Sequence, residues 1–179
     1  PASIVKNLKA HGFSPDEVTG MALDLKKMNV NISPPANLKI IPVRDMDTLA
    51  VWSRIAVVGF GMPEEVKVDW FKWYGNIGLG PDLPFRHYLC LWKGEPVGTS
   101  SLLLAEGVAG VYNVATLPEM RRRGIACCAT LQALSDALKA GYRIGILQAS
   151  KKGLNIYRKI GFQEYCKLMS YIWHSAPPS

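Results

Sequence analysis

The residues with the most chemistry in this 179-residue chain run Asn113-Val114-Ala115-Thr116-Leu117-Pro118-Glu119-Met120-Arg121-Arg122-Arg123-Gly124-Ile125-Ala126. They read as a strand, a tight arginine-rich loop and a helix start. The start of a helix leaves about four backbone N–H groups without partners, and the helix dipole adds partial positive charge there. Gly124 lets the backbone approach a ligand closely, and the small Ala126 keeps the next turn clear. Such a loop suits a pyrophosphate, with three arginines beside it for charge-assisted contacts.

Other reactive side chains have blander readings. Cys127 and Cys128 fall in the first turn of that helix, where a thiolate is favoured, but Cys127 continues an apolar stripe with Leu131, Leu134 and Leu138 and is expected to pack. Trp70, Phe71, Trp73 and Tyr74 either wall an acceptor pocket or fill the core. His87 sits in a strand of alternating character and reads as structural. The three histidines, His11, His87 and His174, are scattered and no cysteines form a C-x-x-C pair, so no metal site is expected.

The elements that must hold the loop follow from periodicity and punctuation. A short helix is expected over residues 3–9 and a strand over 17–25, followed by a polar, proline-broken connector to residue 37. A strand over 38–43 comes next. Asp45 caps a helix ending near Gly59–Gly61, and Pro63 opens a second helix with Glu64 and Glu65 in its first turn. Three strands follow, over 86–93, 96–105 and 108–117, the first two joined by a Gly94-Glu95 turn. The longest helix runs from Gly124 to Gly141, then come a strand over 144–149, a helix over 152–159 and a last strand over 165–173. Strand–helix–strand at 108–149 implies a right-handed crossover and a locally parallel pair, whereas the meander before it implies antiparallel pairs. The expected fold is α/β, a mixed, mostly antiparallel sheet with flanking helices.

The chain also echoes itself. Leu8-Lys9-Ala10-His11-Gly12-Phe13, followed by a strand, resembles Tyr157-Arg158-Lys159-Ile160-Gly161-Phe162, followed by a strand. The domains expected are an appendage and linker at 1–37, whose first 25 residues are either the tail of a preceding degenerate domain or a peripheral strand with a chance likeness, a main domain at 38–174, and a tail at 175–179.

The 121–126 motif and its setting resemble motif A of the GNAT superfamily, the GCN5-related N-acetyltransferases, whose pattern is Arg/Gln-x-x-Gly-x-Gly/Ala. The resemblance extends over residues 38–173, and the segment Ser150 to Phe162 resembles the family's closing motif of Tyr, three residues and Gly-Phe. It implies a GNAT-like fold in which the backbone of Val114, Ala115 and Thr116 holds the pantetheine arm of acetyl-CoA. It further implies that the loop of Arg121, Arg122, Arg123, Gly124, Ile125 and Ala126 holds the pyrophosphate, and that Tyr157 sits by the thioester sulfur as the catalytic acid. Ser150 stands where many members have a cofactor-binding Asn. Some members carry a glutamate base on the strand before the loop, and the matching position here is Gly110. The base is therefore open among Glu106, Asn113, His87 and a water chain.

The function expected is an N-acyltransferase that moves an acetyl group from acetyl-CoA, its co-substrate, to a primary amine on a small molecule or peptide. A non-catalytic acyl-CoA-binding domain is the alternative. The formal charge of +7 favours anionic partners, but the basic residues form no regular stripe, so no nucleic-acid partner is expected. No apolar run reaches the roughly 18 residues that span a bilayer, and no membrane partner is expected. The expected setting is cytoplasmic, as a monomer or homodimer, with the four cysteines reduced.

Overall fold

The computed structural model describes residues 2–173; the expected tail at 175–179 and His174 lie outside the described residues. Helix α1 (Ala2–Ala10) leads into β1 (Phe13–Asp24), and β2 (Leu38–Pro42) follows the connector. Helices α2 (Met46–Phe60) and α3 (Val66–Ile77) precede the meander β3 (Phe85–Trp92), β4 (Glu95–Ala105) and β5 (Val108–Thr116). The chain closes with α4 (Ile125–Lys139), β6 (Ile144–Ala149), α5 (Leu154–Ile160) and β7 (Gln163–Trp173).

The seven strands form one sheet in the order β2-β3-β4-β5-β6-β1-β7. Every pairing is antiparallel except β5 with β6, the two strands joined by the α4 crossover. The mixed, mostly antiparallel sheet expected from the sequence is thus present. Residues 13–24, expected in an appendage, lie inside the sheet between β6 and β7.

Several boundaries differ from expectation for local reasons. Trp92 pairs with Glu95, so the β3–β4 turn is Lys93-Gly94 rather than Gly94-Glu95. Both turn residues have positive φ, 52° and 91°, the arrangement that matches the twist of a two-residue hairpin. Helix α3 begins at Val66 rather than Pro63 because Val66, Lys67 and Val68 bond only three residues back, to Pro63, Glu64 and Glu65. In α4 the fully buried face is Ala129, Thr130, Ala133, Leu134 and Ala137, whereas Leu138 is exposed. Small residues let the helix lie close to the sheet, which shifts the contact face away from the larger leucines.

Two apolar layers flank the sheet. On one face α4 and α5 close over Met21, Leu23 and Leu25 of the N-terminal segment, Leu102, Val111, Leu147 and Tyr157. On the other, Leu49, Trp52, Ile55 and Ala56 of α2 meet Tyr74 of α3 and Leu89 of β3. Trp52 meets Tyr74 edge-on at 4.9 Å between ring centroids, and His87 lies 4.7 Å from Trp52 and 4.8 Å from Tyr74. The aromatic cluster is therefore mainly core: Tyr74 is buried, Trp70 and Phe71 are half-buried, and Trp73 is exposed. Among the described residues no helix is long and apolar enough to cross a membrane, and no cluster of side chains suits a metal ion.

Burial in this aromatic box lowers the pKa of His87 to about 4. The unfolded chain, with an ordinary value of about 6.5, takes up a proton that the folded chain refuses. The contribution is complete above pH 6.5 and is lost as pH falls toward 4, a difference of about 3 kcal/mol. Urea midpoints measured between pH 7 and 4.5 are expected to fall for the wild type and to stay nearly flat for His87→Phe. Equal slopes in the two proteins would exclude His87 as the source.

Candidate active site

The site begins with a fault in β5. The β4–β5 register shifts between Thr99 and Ser101, so Asn113 and Val114 together oppose Ser100 in a bulge. Asn113 takes a left-handed φ of 51°, which asparagine tolerates better than most residues. Its side chain is pinned on both sides: Nδ2 donates to Tyr74 Oη at 2.8 Å and to Ser101 Oγ at 3.1 Å. Thr99 Oγ1 donates to the Asn113 carbonyl at 2.8 Å, and Ser101 Oγ also bonds His87 Nδ1 at 2.8 Å. A bulged strand bends away from its former direction.

The bend opens a cleft. The parallel β5–β6 ladder holds only for Val108, Ala109 and Gly110 against Ile144, Gly145 and Ile146. Beyond Gly110 the strands part. Ala115 and Thr116 pair with Thr99 and Gly98 of β4 along one edge, and no strand covers the other. The unpaired edge of Val114, Ala115 and Thr116 has the N–H and C=O groups that an extended ligand would bond as an added strand. Thr116 Oγ1 is buried there without a partner. Helix α2 crosses close to this edge because Gly59 has no side chain: a Cβ there would lie 2.8 Å from that of Ala115.

At the mouth of the cleft the chain turns into α4. Arg122 and Gly124 both have positive φ, 61° and 79°, and the first helical acceptor bond is from Cys128 N–H to Gly124. The N–H groups of Arg122, Arg123, Gly124, Ile125, Ala126 and Cys127 have no acceptor among the described residues. The three arginines have separate fates. Arg121 ties the loop down, donating to the Thr116 and Gly59 carbonyls at 3.3 and 2.9 Å. Arg123 lies over Trp92, 5.8 Å from the ring centroid, and Arg122 has no ion pair or hydrogen bond among the described residues.

Across the cleft, Tyr157 of α5 shares an apolar cluster with Val114 of β5, Leu147 and Ala149 of β6, and Cys127 of α4. Its hydroxyl has no hydrogen-bond partner among the described residues, and burial pushes its pKa up to about 12, with Cys127 adding to the shift. The Cys127 thiol is itself pushed up to about 11 by burial, so it packs rather than reacts. Ser150 is part of the turn before α5, where its Oγ accepts from Gly153 N–H at 3.3 Å.

The base candidates are less well placed. His87 is only 1% exposed, and its low pKa makes it a poor proton acceptor at neutral pH. Asn113 is committed to its two hydrogen bonds, and Glu106 lies in the β4–β5 turn, next to the closed end of the cleft. Above Gly110 the Tyr112 ring fills the space, 2.5 Å from where a Cβ would stand. Tyr74, Thr99 and Ser101 were not singled out from the sequence as parts of one polar site. The run Thr99-Ser100-Ser101 inside an apolar strand is the signal that buried polar groups would need partners there.

The sequence profile of the acetyltransferase (GNAT) family matches residues 49–162. A search of curated proteins finds no significant match. Among solved structures, a GCN5-related N-acetyltransferase from Kribbella flavida is 21% identical with a TM-score of 0.68, matching 94% of this chain and 62% of its own. One from Sphaerobacter thermophilus is 19% identical with a TM-score of 0.71, matching 98% of this chain and 58% of its own. The chain thus spans about six-tenths of the length of these two proteins. A predicted acetyltransferase from Clostridium acetobutylicum, solved with acetyl-CoA, is 18% identical with a TM-score of 0.58 over 72% of this chain and 91% of its own. With a profile match that spans the α2 helix, the split strands, the arginine loop and Tyr157, this chain belongs to the acetyltransferase (GNAT) family.

Proposed function

We propose that the protein is an N-acetyltransferase that uses acetyl-CoA and acetylates a primary amine of a small molecule or peptide in the cytoplasm. The observation that carries this reading is the cleft itself. One strand edge is left unpaired beyond Gly110, six unbonded N–H groups stand at its mouth, and a buried phenol faces the same apolar cluster. Val114, Ala115 and Thr116 would bond the pantetheine arm, and the 122–126 N–H groups, aided by Arg122, would hold the pyrophosphate. Arg121 acts by fixing the loop.

Acetyl-CoA supplies an activated thioester: the amine nitrogen bonds to the carbonyl carbon, the C–S bond breaks, and the sulfur leaves as a thiolate. Tyr157 is the proton donor for that sulfur. In water a thiol near 8.5 would be a much weaker base than this tyrosinate. Burial raises the neighbouring Cys127 thiol as it raises Tyr157, so a thiolate held in the same environment is a stronger base than it is in water. No residue of the cleft matches that donor with a poised base, so a water chain would carry the amine proton outward.

A non-catalytic acyl-CoA binder is the second reading. It is favoured by Tyr112 filling the space over Gly110, where a carboxylate base would otherwise fit. Thioester cleavage across a panel of amines separates the two readings: none with any amine would favour the binder.

Two variants test the assignments. Acetyl-CoA at about 100-fold above its Kd is expected to stabilise the wild type by about 2.7 kcal/mol, read as a rise in Tm. Gly124→Val is expected to lose most of that rise, since its side chain would crowd the pyrophosphate and strain the left-handed turn. A wild-type Tm that ignores saturating ligand would remove the binding site. Tyr157→Phe is expected to keep coenzyme A affinity within a few-fold and to lower kcat on the order of 10²-fold. Undiminished kcat, with chemistry rate-limiting, would mean that the ring only packs against Phe162, its neighbour at 6.1 Å between centroids.

A further inference from the structure

The far edge of the sheet is unlike the rest. Strand β7 is exposed along almost its whole length, although it carries Tyr165, Leu168, Met169, Ile172 and Trp173 at 71, 41, 49, 45 and 59% exposure. Residues 13–18 of β1 pair with β7 alone, because β6 reaches only from Thr19 to Asp24. The two strands therefore leave the sheet as a bare ribbon, and an isolated two-stranded ribbon is at best marginally stable in water. Phe13 opposite Trp173 and Pro15 opposite Tyr171 put an apolar stripe on one of its faces. The outer edge of β7 pairs with no strand among the described residues.

The ribbon is also symmetric. The offset that carries Gly12-Phe13 to Gly161-Phe162 carries α1 onto α5 and β1 onto β7. Applied to the ladder, it exchanges Glu17–Met169 with Gly20–Cys166, and Val18–Leu168 with Thr19–Lys167. A local two-fold axis thus runs through the middle of the ribbon and relates the two helix–strand units. On one side of the axis β1 is paired antiparallel to β6. The equivalent position, on the outer edge of β7, holds no strand among the described residues.

We infer that β7 is the docking edge for a second α/β half of the same kind, lying ahead of α1 in the same polypeptide, so that the two halves share one continuous sheet. Chain order identifies the occupant. If α1–β1 is the closing unit of a half, the rest of that half precedes it. A second copy of this chain could meet the edge only with an edge strand of its own, not with an equivalent of β6, which its own β1 covers. The matched solved proteins have the length for such an arrangement, since this chain spans only 62% and 58% of them. Each half would then hold its final strand in exchange with the other. The inference is independent of acetyl transfer.

The test uses the full-length polypeptide as encoded, with amide hydrogen exchange followed residue by residue over 166–173 at two protein concentrations. The expected result is a monomer by light scattering in which every amide of the segment is slowed at least about 100-fold at both concentrations. Met169→Glu combined with Trp173→Glu is expected to restore fast exchange at the alternate, outward-pointing amides of the segment while leaving coenzyme A affinity unchanged. Alternate amides exchanging at the unprotected rate would overturn the inference, because that is the pattern of an open edge. Protection that appears only where dimers form would also overturn it and assign the edge to a second copy. So would an exchange pattern unmoved by the double variant in a folded, coenzyme A-binding protein.

Discussion

One asparagine in a left-handed conformation sets the shape of the functional half of the molecule. Asn113 breaks the register of β5, and the break separates β5 from β6 after three paired residues. A parallel pair that stayed zipped would have no free edge and no cleft. The conformation is held by bonds from three residues on two elements: Tyr74 of α3, and Ser101 and Thr99 of β4. His87 of β3 completes the network through Ser101. Removing any one partner leaves a buried polar group unsatisfied, at a cost of about 1–3 kcal/mol. The polar network therefore belongs to the architecture of the cleft rather than to its proton chemistry, which is why His87 can be buried and neutral without loss.

Close approach by small residues does the rest. Gly59 lets α2 touch β5 at Ala115, and Gly98 lets β4 sit against Ile125 at the start of α4, with a Cβ there only 2.9 Å from the Ala115 carbonyl and 3.0 Å from the Ile125 side chain. The arginine loop is thus tied to the open strand from two sides. Arg121 adds a third tie by bonding the Thr116 and Gly59 carbonyls. Of three adjacent arginines, one secures the loop, one stacks on Trp92, and Arg122 has no partner among the described residues. Identical side chains acquire different functions through the direction in which the backbone releases them.

The mixed sheet, the crossover and the arginine loop were legible in the sequence because each rests on local punctuation: Asp45, Gly124, Gly141 and the periodic apolar positions between them. The register of the meander was less so. Placing the β3–β4 turn at Lys93-Gly94 requires Lys93 at positive φ, which only the pairing of Trp92 with Glu95 imposes. The role of Asn113 was hidden for a deeper reason. Its partners Tyr74, Ser101 and Thr99 are distant in sequence or on another strand, so no window of periodicity contains them. The same holds for β1, whose neighbours β6 and β7 are more than a hundred residues away along the chain.

The placement of β1 ties the N-terminal segment to the cluster around Tyr157. Met21, Leu23 and Leu25 are 2, 5 and 2% exposed and belong to the cluster that contains Tyr157. Burying side chains of this kind is worth about 1.5–3 kcal/mol each. Leu25 also lies over Gly145, with a Cβ position 2.9 Å away, and Leu23 lies over Gly161, where α5 ends. Helix α5 carries Tyr157, so its seat on the sheet is shaped by residues that precede the arginine loop by about a hundred positions. The family profile begins only at residue 49, beyond all of these. A segment outside the matched region therefore supplies part of the wall that desolvates the phenol. The same burial keeps the phenol protonated.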